Sequence, residues 1–298
     1  MMESINWKEY LITRLIKLSG YSAIIFVVMI FIFLLREGSA TVVEIPFGSL
    51  FSTRWYPIED YFGILPLIGG SIIVTIGATI IAVPLGVCCA IFIAEISPRW
   101  IREILKPLVE LLAGLPSVML GFLGILVIAP AVRTILNIPT GLTAFTGALL
   151  LAGMAIPTIV SVAEDALDSV PRTYRDASLA MGATKWQTIW RVTLPAARSG
   201  VLTAVMLGIG RAIGETMTVM MVTGNAPVMP TGLGGLFKPA RTMTATIAAE
   251  MGEVANGSVH YHTLFFIGIV LFVISLIINL VAARIVFRQQ KRAERILS

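Results

Sequence analysis

The chain is poor in the residues that most enzyme chemistry draws on. Only two cysteines and two histidines occur among 298 residues, and charged residues make up 13%. The cysteines, Cys88 and Cys89, are adjacent; neighbours cannot bridge without strain and have no third partner, so they read as small apolar fillers. His260 and His262 flank Tyr261 without a cysteine or a third histidine to complete a metal set, so no metal is expected and interfacial placement is the better reading. The acids Glu95, Glu110, Glu164 and Asp165 are scattered at the ends of apolar runs or in loops. They form no paired-carboxylate, metal-cluster or nucleophile-elbow pattern. There is no Gly-x-x-x-x-Gly-Lys-Ser/Thr phosphate loop, so neither ATP chemistry nor a cofactor is expected on this chain.

What the chain has instead is apolar length. Hydrophobic residues reach 57% and the mean hydropathy is +0.90, outside the range of soluble domains. Apolar runs at residues 20–35, 65–95, 108–131, 141–162, 198–223 and 263–286 are near or above the ~20 residues that span a bilayer as helix. The expectation is an all-α polytopic bundle of about six transmembrane helices. Of the 22 Lys and Arg residues, sixteen fall in segments on one side of that topology and five on the other, with Arg211 inside a span. This asymmetry predicts cytoplasmic termini. It also accounts for the net charge of +5, which carries no basic face of the kind nucleic-acid binding needs.

Residues 1–64 read as a cytoplasmic segment, an uncleaved anchor helix and an outer loop, and residues 65–290 as the main membrane domain; no fixed-period repeat divides them. The third run carries Ala113-Gly114-Leu115-Pro116-Ser117, Gly121 and Gly124. A helix bent against protein or a pathway fits this pattern, and so does small-residue packing. In the fifth run, Gly208-Ile209-Gly210-Arg211-Ala212-Ile213-Gly214-Glu215-Thr216 places Arg211 and Glu215 four apart. On a continuous helix they share a face, beside a Gly210/Gly214 seam. An intramembrane Arg needs a partner or a wet cavity. Glu215 could simply neutralise Arg211, hold it toward a passing oxyanion, or carry protons. Beyond it, Pro239 precedes a predicted short helix over 241–252, where Arg241 with Thr242 and Thr246 suggests either an anion landing site or capping threonines.

The most informative stretch runs from Pro171 to Pro195. Pro171 suits a first helical turn, and Tyr174, Ala177, Ser178 and Met181 recur on one helical face, small or apolar. Gly182 suits a left-handed stop, Thr184 a cap for a second short helix, and Pro195 the start of a long one. Two short helices around a glycine elbow make a knob able to enter a partner's groove; the plainer reading is an amphipathic surface helix with a glycine stop.

The segment Asp176-Ala177-Ser178-Leu179-Ala180-Met181-Gly182, followed ten residues later by Val192-Thr193-Leu194-Pro195, resembles the coupling loop of ABC-importer permeases. That pattern is Glu-Ala-Ala-x-x-x-Gly, nine positions, then Ile-x-Leu-Pro; Asp176, Ser178 and Val192 depart conservatively from it, and Ala177, Gly182, Leu194 and Pro195 match. From Gly210 to Asn225, Gly-Arg-Ala-Ile-Gly-Glu-Thr-Met-x-Val-Met-Met-Val-x-Gly-Asn resembles the fifth span of PstC-type permeases of bacterial phosphate importers. The resemblance covers the chain from about residue 65 onward. It implies a type I (MetI-like) importer permease fold in a bacterial or archaeal inner membrane, and a heterodimer with a PstA-like permease. It further implies two PstB-like ATPase subunits engaged through the loop at 164–198, a PstS-like phosphate-binding protein outside, and phosphate passing near Arg211, Glu215, Thr216 and Arg241. The alternatives are a PstA-like partner, a permease for another oxyanion, or a proton-coupled secondary transporter, which would have no need of a coupling loop.

Overall fold

The computed structural model describes residues 7–297. The chain runs α1 (Trp7–Glu44), α2 (Phe47–Leu50), a hairpin of β1 (Trp55–Tyr56) and β2 (Tyr61–Phe62), then α3 (Leu65–Ile91), α4 (Arg99–Ala113), α5 (Ser117–Leu123), α6 (Ala129–Leu136) and α7 (Ala144–Asp168). The second half comprises α8 (Arg172–Ala180), α9 (Lys185–Thr188), α10 (Leu194–Gly214), α11 (Met217–Val222), α12 (Met243–Glu250) and α13 (Val259–Leu297). The hairpin pairs Trp55 with Phe62 and Tyr56 with Tyr61, antiparallel.

Among the described residues, six helical stretches are long and apolar enough to cross a membrane: Tyr10–Glu44, Leu65–Ile96, Ser117–Leu136, Ala144–Asp168, Lys185–Gly214 and Val259–Arg284. The number matches the sequence reading, but bounds move: the first span covers Tyr10–Glu44 where the apolar run is 20–35, and the third and fifth shift as well. The third span begins at Ser117 instead of residue 108. Leu108, Leu111 and Leu112 belong to the exposed apolar stripe of amphipathic α4, whose other side faces α7; a hydropathy run cannot separate such a stripe from the span that follows. The fifth span starts at Lys185 and stops at Gly214, because Glu215 is extended (φ −70°, ψ 133°) and a new helix begins at Met217.

Three helices form the centre: α3 and α10 both pack on α7 and also touch each other. Their contact faces are small: Ala78 and Ala82 on α3, Ala148, Ala152 and Ala155 on α7, and Ala212 on α10 are buried together. Without a hydrophobic driving force between helices in lipid, close van der Waals approach must supply the attraction, and small residues permit it. Ile159 of α7 fills the remaining space. A Cβ on Gly86 would come within 2.8 Å of it and a Cβ on Gly208 within 2.5 Å, so only glycine fits at either position. At one end Trp55, Phe62, Ile64 and Leu67 pack with Met243, Leu264 and Ile267, seating the hairpin on α12 and α13. At the other, Ala90, Ile91, Ala163, Leu167, Ile189 and Val201 close the core under the α8–α9 loop. Helix α1 lies along α13 with Phe31 stacked on Phe272 and Phe33 edge-on to Phe265.

Three π-helical segments, Phe92–Ile96, Gly124–Ile128 and Ile189–Thr193, each end two residues before a proline: Pro98, Pro130 and Pro195. A proline ring clashes with the carbonyl four residues earlier in an α-helix. Where the helix continues through the proline, that carbonyl belongs to Leu126 or Arg191, inside the widened turn; before Pro98 the helix has already ended at extended Ser97 (φ −67°, ψ 141°). Pro84, Pro107 and Pro157 lie within α-helix without such a segment.

Candidate functional site

Two helix breaks face each other. One lies at Gly114–Pro116, between amphipathic α4 and the start of the third span in α5, the other at Glu215–Thr216 between α10 and α11. The Thr218 hydroxyl crosses between them, donating to the Ser117 carbonyl at 2.8 Å. Helix ends leave backbone groups without intrahelical partners, and Arg211, one turn before the end of α10, serves one of them. Its Nη2 donates to the carbonyl of Ala113, the last residue of α4, at 3.1 Å, and its Nη1 donates to Thr158 Oγ1 on α7 at 3.0 Å. A cation at a helix C-terminus also meets the negative end of the dipole.

The expected pairing of Arg211 with Glu215 does not form. The helix ends before Glu215, so the two residues do not share a face. Glu215 turns to α11 instead, where its Oε1 accepts from the Thr218 backbone N–H at 3.2 Å, while its own carbonyl accepts from Thr244 Oγ1 on the turn into α12 at 3.0 Å. The Gly210/Gly214 seam is not used within the chain either: a side-chain carbon at either glycine would meet nothing within 4 Å. Thr216 donates only to the nearby Gly214 carbonyl, at 3.3 Å.

Arg241 lies apart from Arg211 in its contacts. It forms an ion pair with Glu250 at 2.8 Å, and the same carboxylate accepts from Trp55 Nε1 at 3.2 Å and meets His260 Nε2 at 2.8 Å. The helix predicted over 241–252 occupies Met243–Glu250, and Thr242 caps it, accepting from the Ala245 N–H at 3.2 Å. Thr246 donates back to the Thr242 carbonyl at 2.8 Å. His262 contacts the Glu37 carbonyl at 3.1 Å, so the two histidines serve different elements.

The 171–195 stretch folds as two short helices around an elbow. Pro171 sits one position earlier than expected, at the N-cap of α8. Gly182 is left-handed (φ 84°). Thr184 and Gln187 form a reciprocal capping box on α9. Ser178 Oγ lies 3.0 Å from Thr188 Oγ1 and ties the two helices together. Tyr174, Asp176, Ala177 and Met181 are exposed, Met181 to 88%, as are Trp186 and Trp190, whose rings meet edge to face. Leu194 and Pro195 open α10.

Sequence reasoning missed the charged groups beneath this knob. Glu164 is 1% exposed and accepts from both Arg102 and Lys106; Lys106 also pairs with Asp165 at 2.8 Å and Arg102 with Asp168. The hydrogen bond to Asp165, then that to Glu164, holds the Lys106 ammonium above its ordinary pKa against partial burial. Glu95, 7% exposed, is held by Arg175 at 2.6 Å. The signal was present: acids at the very ends of apolar runs, Glu95 and Glu164, need named partners where the helix end is buried.

With this geometry established, the relatives become informative. Residues 82–294 match the family model described as binding-protein-dependent transport system inner membrane component. A probable ABC transporter permease protein YqgH of Bacillus subtilis is 43% identical over 232 residues, 77% of this chain and 74% of that protein. The phosphate transport system permease protein PstC of Mesorhizobium japonicum is 38% identical over 265 residues, covering 83% and 80%. In fold, the chain is similar to one from a bacterial alginate ABC transporter solved with its alginate-pentasaccharide-bound periplasmic protein. That match has a TM-score of 0.63 and 16% identity, over 94% of this chain and 96% of that one. It is also similar to a chain of the inward-facing MetNI methionine ABC transporter, with a TM-score of 0.56 and 20% identity, over 76% and 94%. A six-span bundle with paired helix breaks and an exposed two-helix loop, matched along most of its length, belongs to the binding-protein-dependent transport system inner membrane components.

Proposed function

We propose that this chain is a permease subunit of an ATP-driven phosphate importer and lines one half of the translocation path. The observation that carries the reading is Arg211, a cation inside a span. Two of its N–H groups are engaged at the facing breaks, and the rest of its five donors are left for an oxyanion. The similarity to PstC permeases supports phosphate as that oxyanion. Glu215 and Thr216 shape the same break from the α11 side, and Arg241 stands at the end of the bundle marked by the hairpin.

In this reading the Tyr174–Pro195 loop docks on ATPase subunits. Tyr174, Asp176, Ala177 and Ser178 present the contact face, Gly182 makes the elbow, and Leu194 and Pro195 lead into the moving span. The loop at 164–198 and both termini are then cytoplasmic, as the Lys and Arg bias favours. Residues 1–64 form the anchor and outer loop, and residues 65–290 the permease domain. A PstA-like permease, two PstB-like ATPases and a PstS-like phosphate-binding protein complete the assembly. ATP-driven closure of the ATPase subunits moves the loop and switches the spans between inward- and outward-facing states.

The test is labelled-phosphate uptake into proteoliposomes holding the co-purified complex, with and without ATP and binding protein. Uptake that needs both and resists sulfate competition supports the reading. Competition by sulfate points to a general oxyanion permease. Uptake by this chain alone under a proton gradient overturns it.

A further inference from the structure

Arg175 sits in the middle of α8, but its side chain does not join the exposed face. It reaches into the bundle and meets two elements at once. Nε donates to Glu95 Oε1 at 3.0 Å and Oε2 at 3.3 Å, and Nη2 donates to Oε1 at 2.6 Å. Nη2 also donates to the Leu167 carbonyl at 2.8 Å, and Nη1 to the Val170 carbonyl at 2.7 Å. Glu95 belongs to the π segment that ends the second span, and Leu167 to the last turn of α7. The guanidinium therefore satisfies a largely buried carboxylate and the Val170 carbonyl just past α7, and adds a second donor to the Leu167 carbonyl, which also accepts from the Val170 N–H at 3.3 Å. A lysine could match the charge but not the planar fork.

Besides Arg175, α8 is tied on one side by the short Ser169-Val170-Pro171 connection, whose Val170 is buried, and on the other, past the uncrowded Gly182 elbow, by the Ser178–Thr188 hydrogen bond to α9. Neither of these reaches the second span; Arg175 does, through Glu95.

We propose that Arg175 is a positioning residue for coupling: through Glu95 and the carbonyls of Leu167 and Val170 it makes α8 move as one body with the second span and α7. The bond is short and shielded from water, so exchange with solvent does not slacken it. The inference rests on the coupling-loop reading above.

Two readouts on the assembled complex test it. The first is phosphate imported per ATP hydrolysed, for wild type, Glu95→Gln and Arg175→Lys. Glu95→Gln should keep ATP hydrolysis and lose import by about tenfold, the scale of one broken charge-assisted contact, with Arg175→Lys intermediate. The second needs no substrate: spin labels at Thr173→Cys and Ile80→Cys, in a Cys88→Ala/Cys89→Ala background, report the distance from α8 to α3 with and without ATP. In the otherwise native complex that distance should stay constant through the cycle, and Glu95→Gln should broaden and shift it. An unchanged distance distribution in Glu95→Gln, or unchanged import per ATP, overturns the proposal. So does loss of ATPase-subunit association in both variants, which would make the contact a folding element only. If the wild-type complex fails to import phosphate, the functional reading falls, while the label distances still decide the bracket.

Discussion

Arg211 Nη2 lies 3.1 Å from the carbonyl oxygen of Ala113, so a cation near the end of the fifth span holds the end of the amphipathic helix that leads into the third. Replacing Arg211 with Gln keeps two donors and removes the charge. The complex should insert and assemble normally and lose phosphate uptake by at least about tenfold, ~1.4 kcal/mol of path stabilisation. Thr158→Val, which removes the acceptor for Nη1, should cost about threefold to tenfold by leaving that donor unmet, and Thr158→Ser should restore uptake. Initial-rate uptake in proteoliposomes checks all three.

Gly208 and Ile159 are a matched pair. Gly208→Ala places a carbon 2.5 Å from Ile159, an overpacking that costs ~1–3 kcal/mol. Ile159→Ala in the same chain, which removes both the Cγ1 and the Cδ1 that the new carbon meets, should recover part of that loss, although Ile159→Ala alone should destabilise. Thermal unfolding of the purified complex in detergent, measured as a double-mutant cycle, shows whether the two changes compensate.

Gly182→Val meets no neighbour, so any effect comes from the backbone. A β-branched residue at φ 84° costs about 1–2 kcal/mol and should unwind the elbow. Membrane insertion should remain normal while ATP-driven uptake falls. Gly182→Asn should fall less, because Asn tolerates the left-handed region better. Equal uptake in both variants would count against the elbow's role.

Glu164→Gln leaves Arg102 and Lys106 without their shared carboxylate. Both cations are part-exposed and keep Asp168 and Asp165, so the loss should be limited to ~1–3 kcal/mol. The melting midpoint of the complex should drop, and the Lys106 pKa, measured from a labelled ammonium, should fall toward its ordinary value.

The element types were legible because apolar length, capping residues and proline positions act locally. Thr184 announces its own cap and Gly182 its own turn; the reciprocal bond to Gln187 was not read from the sequence. The Arg211–Glu215 pairing was misread for an equally physical reason. Spacing of four residues implies one face only while the helix continues, and no proline marks the stop at Gly214. What ends the helix there is tertiary: the Thr218 hydroxyl bonds Ser117, and Thr244 bonds the Glu215 carbonyl, contacts made by residues far apart in the chain. The same distance hid Arg175 from Glu95, eighty positions earlier.

The widened turns before Pro98 and Pro195 flank the Arg175 bracket, one at the foot of the second span and one at the foot of the fifth. Each stores one surplus residue relative to α-helix, so tightening it would rotate the span above by about 100° against the loop below. At Pro195, where the helix continues, the proline ring opposes that tightening; at Pro98 the extended Ser97 has already ended the helix. The foot of the fifth span is thus held in its widened form by Pro195, directly above the loop that carries Ser178 and Thr188.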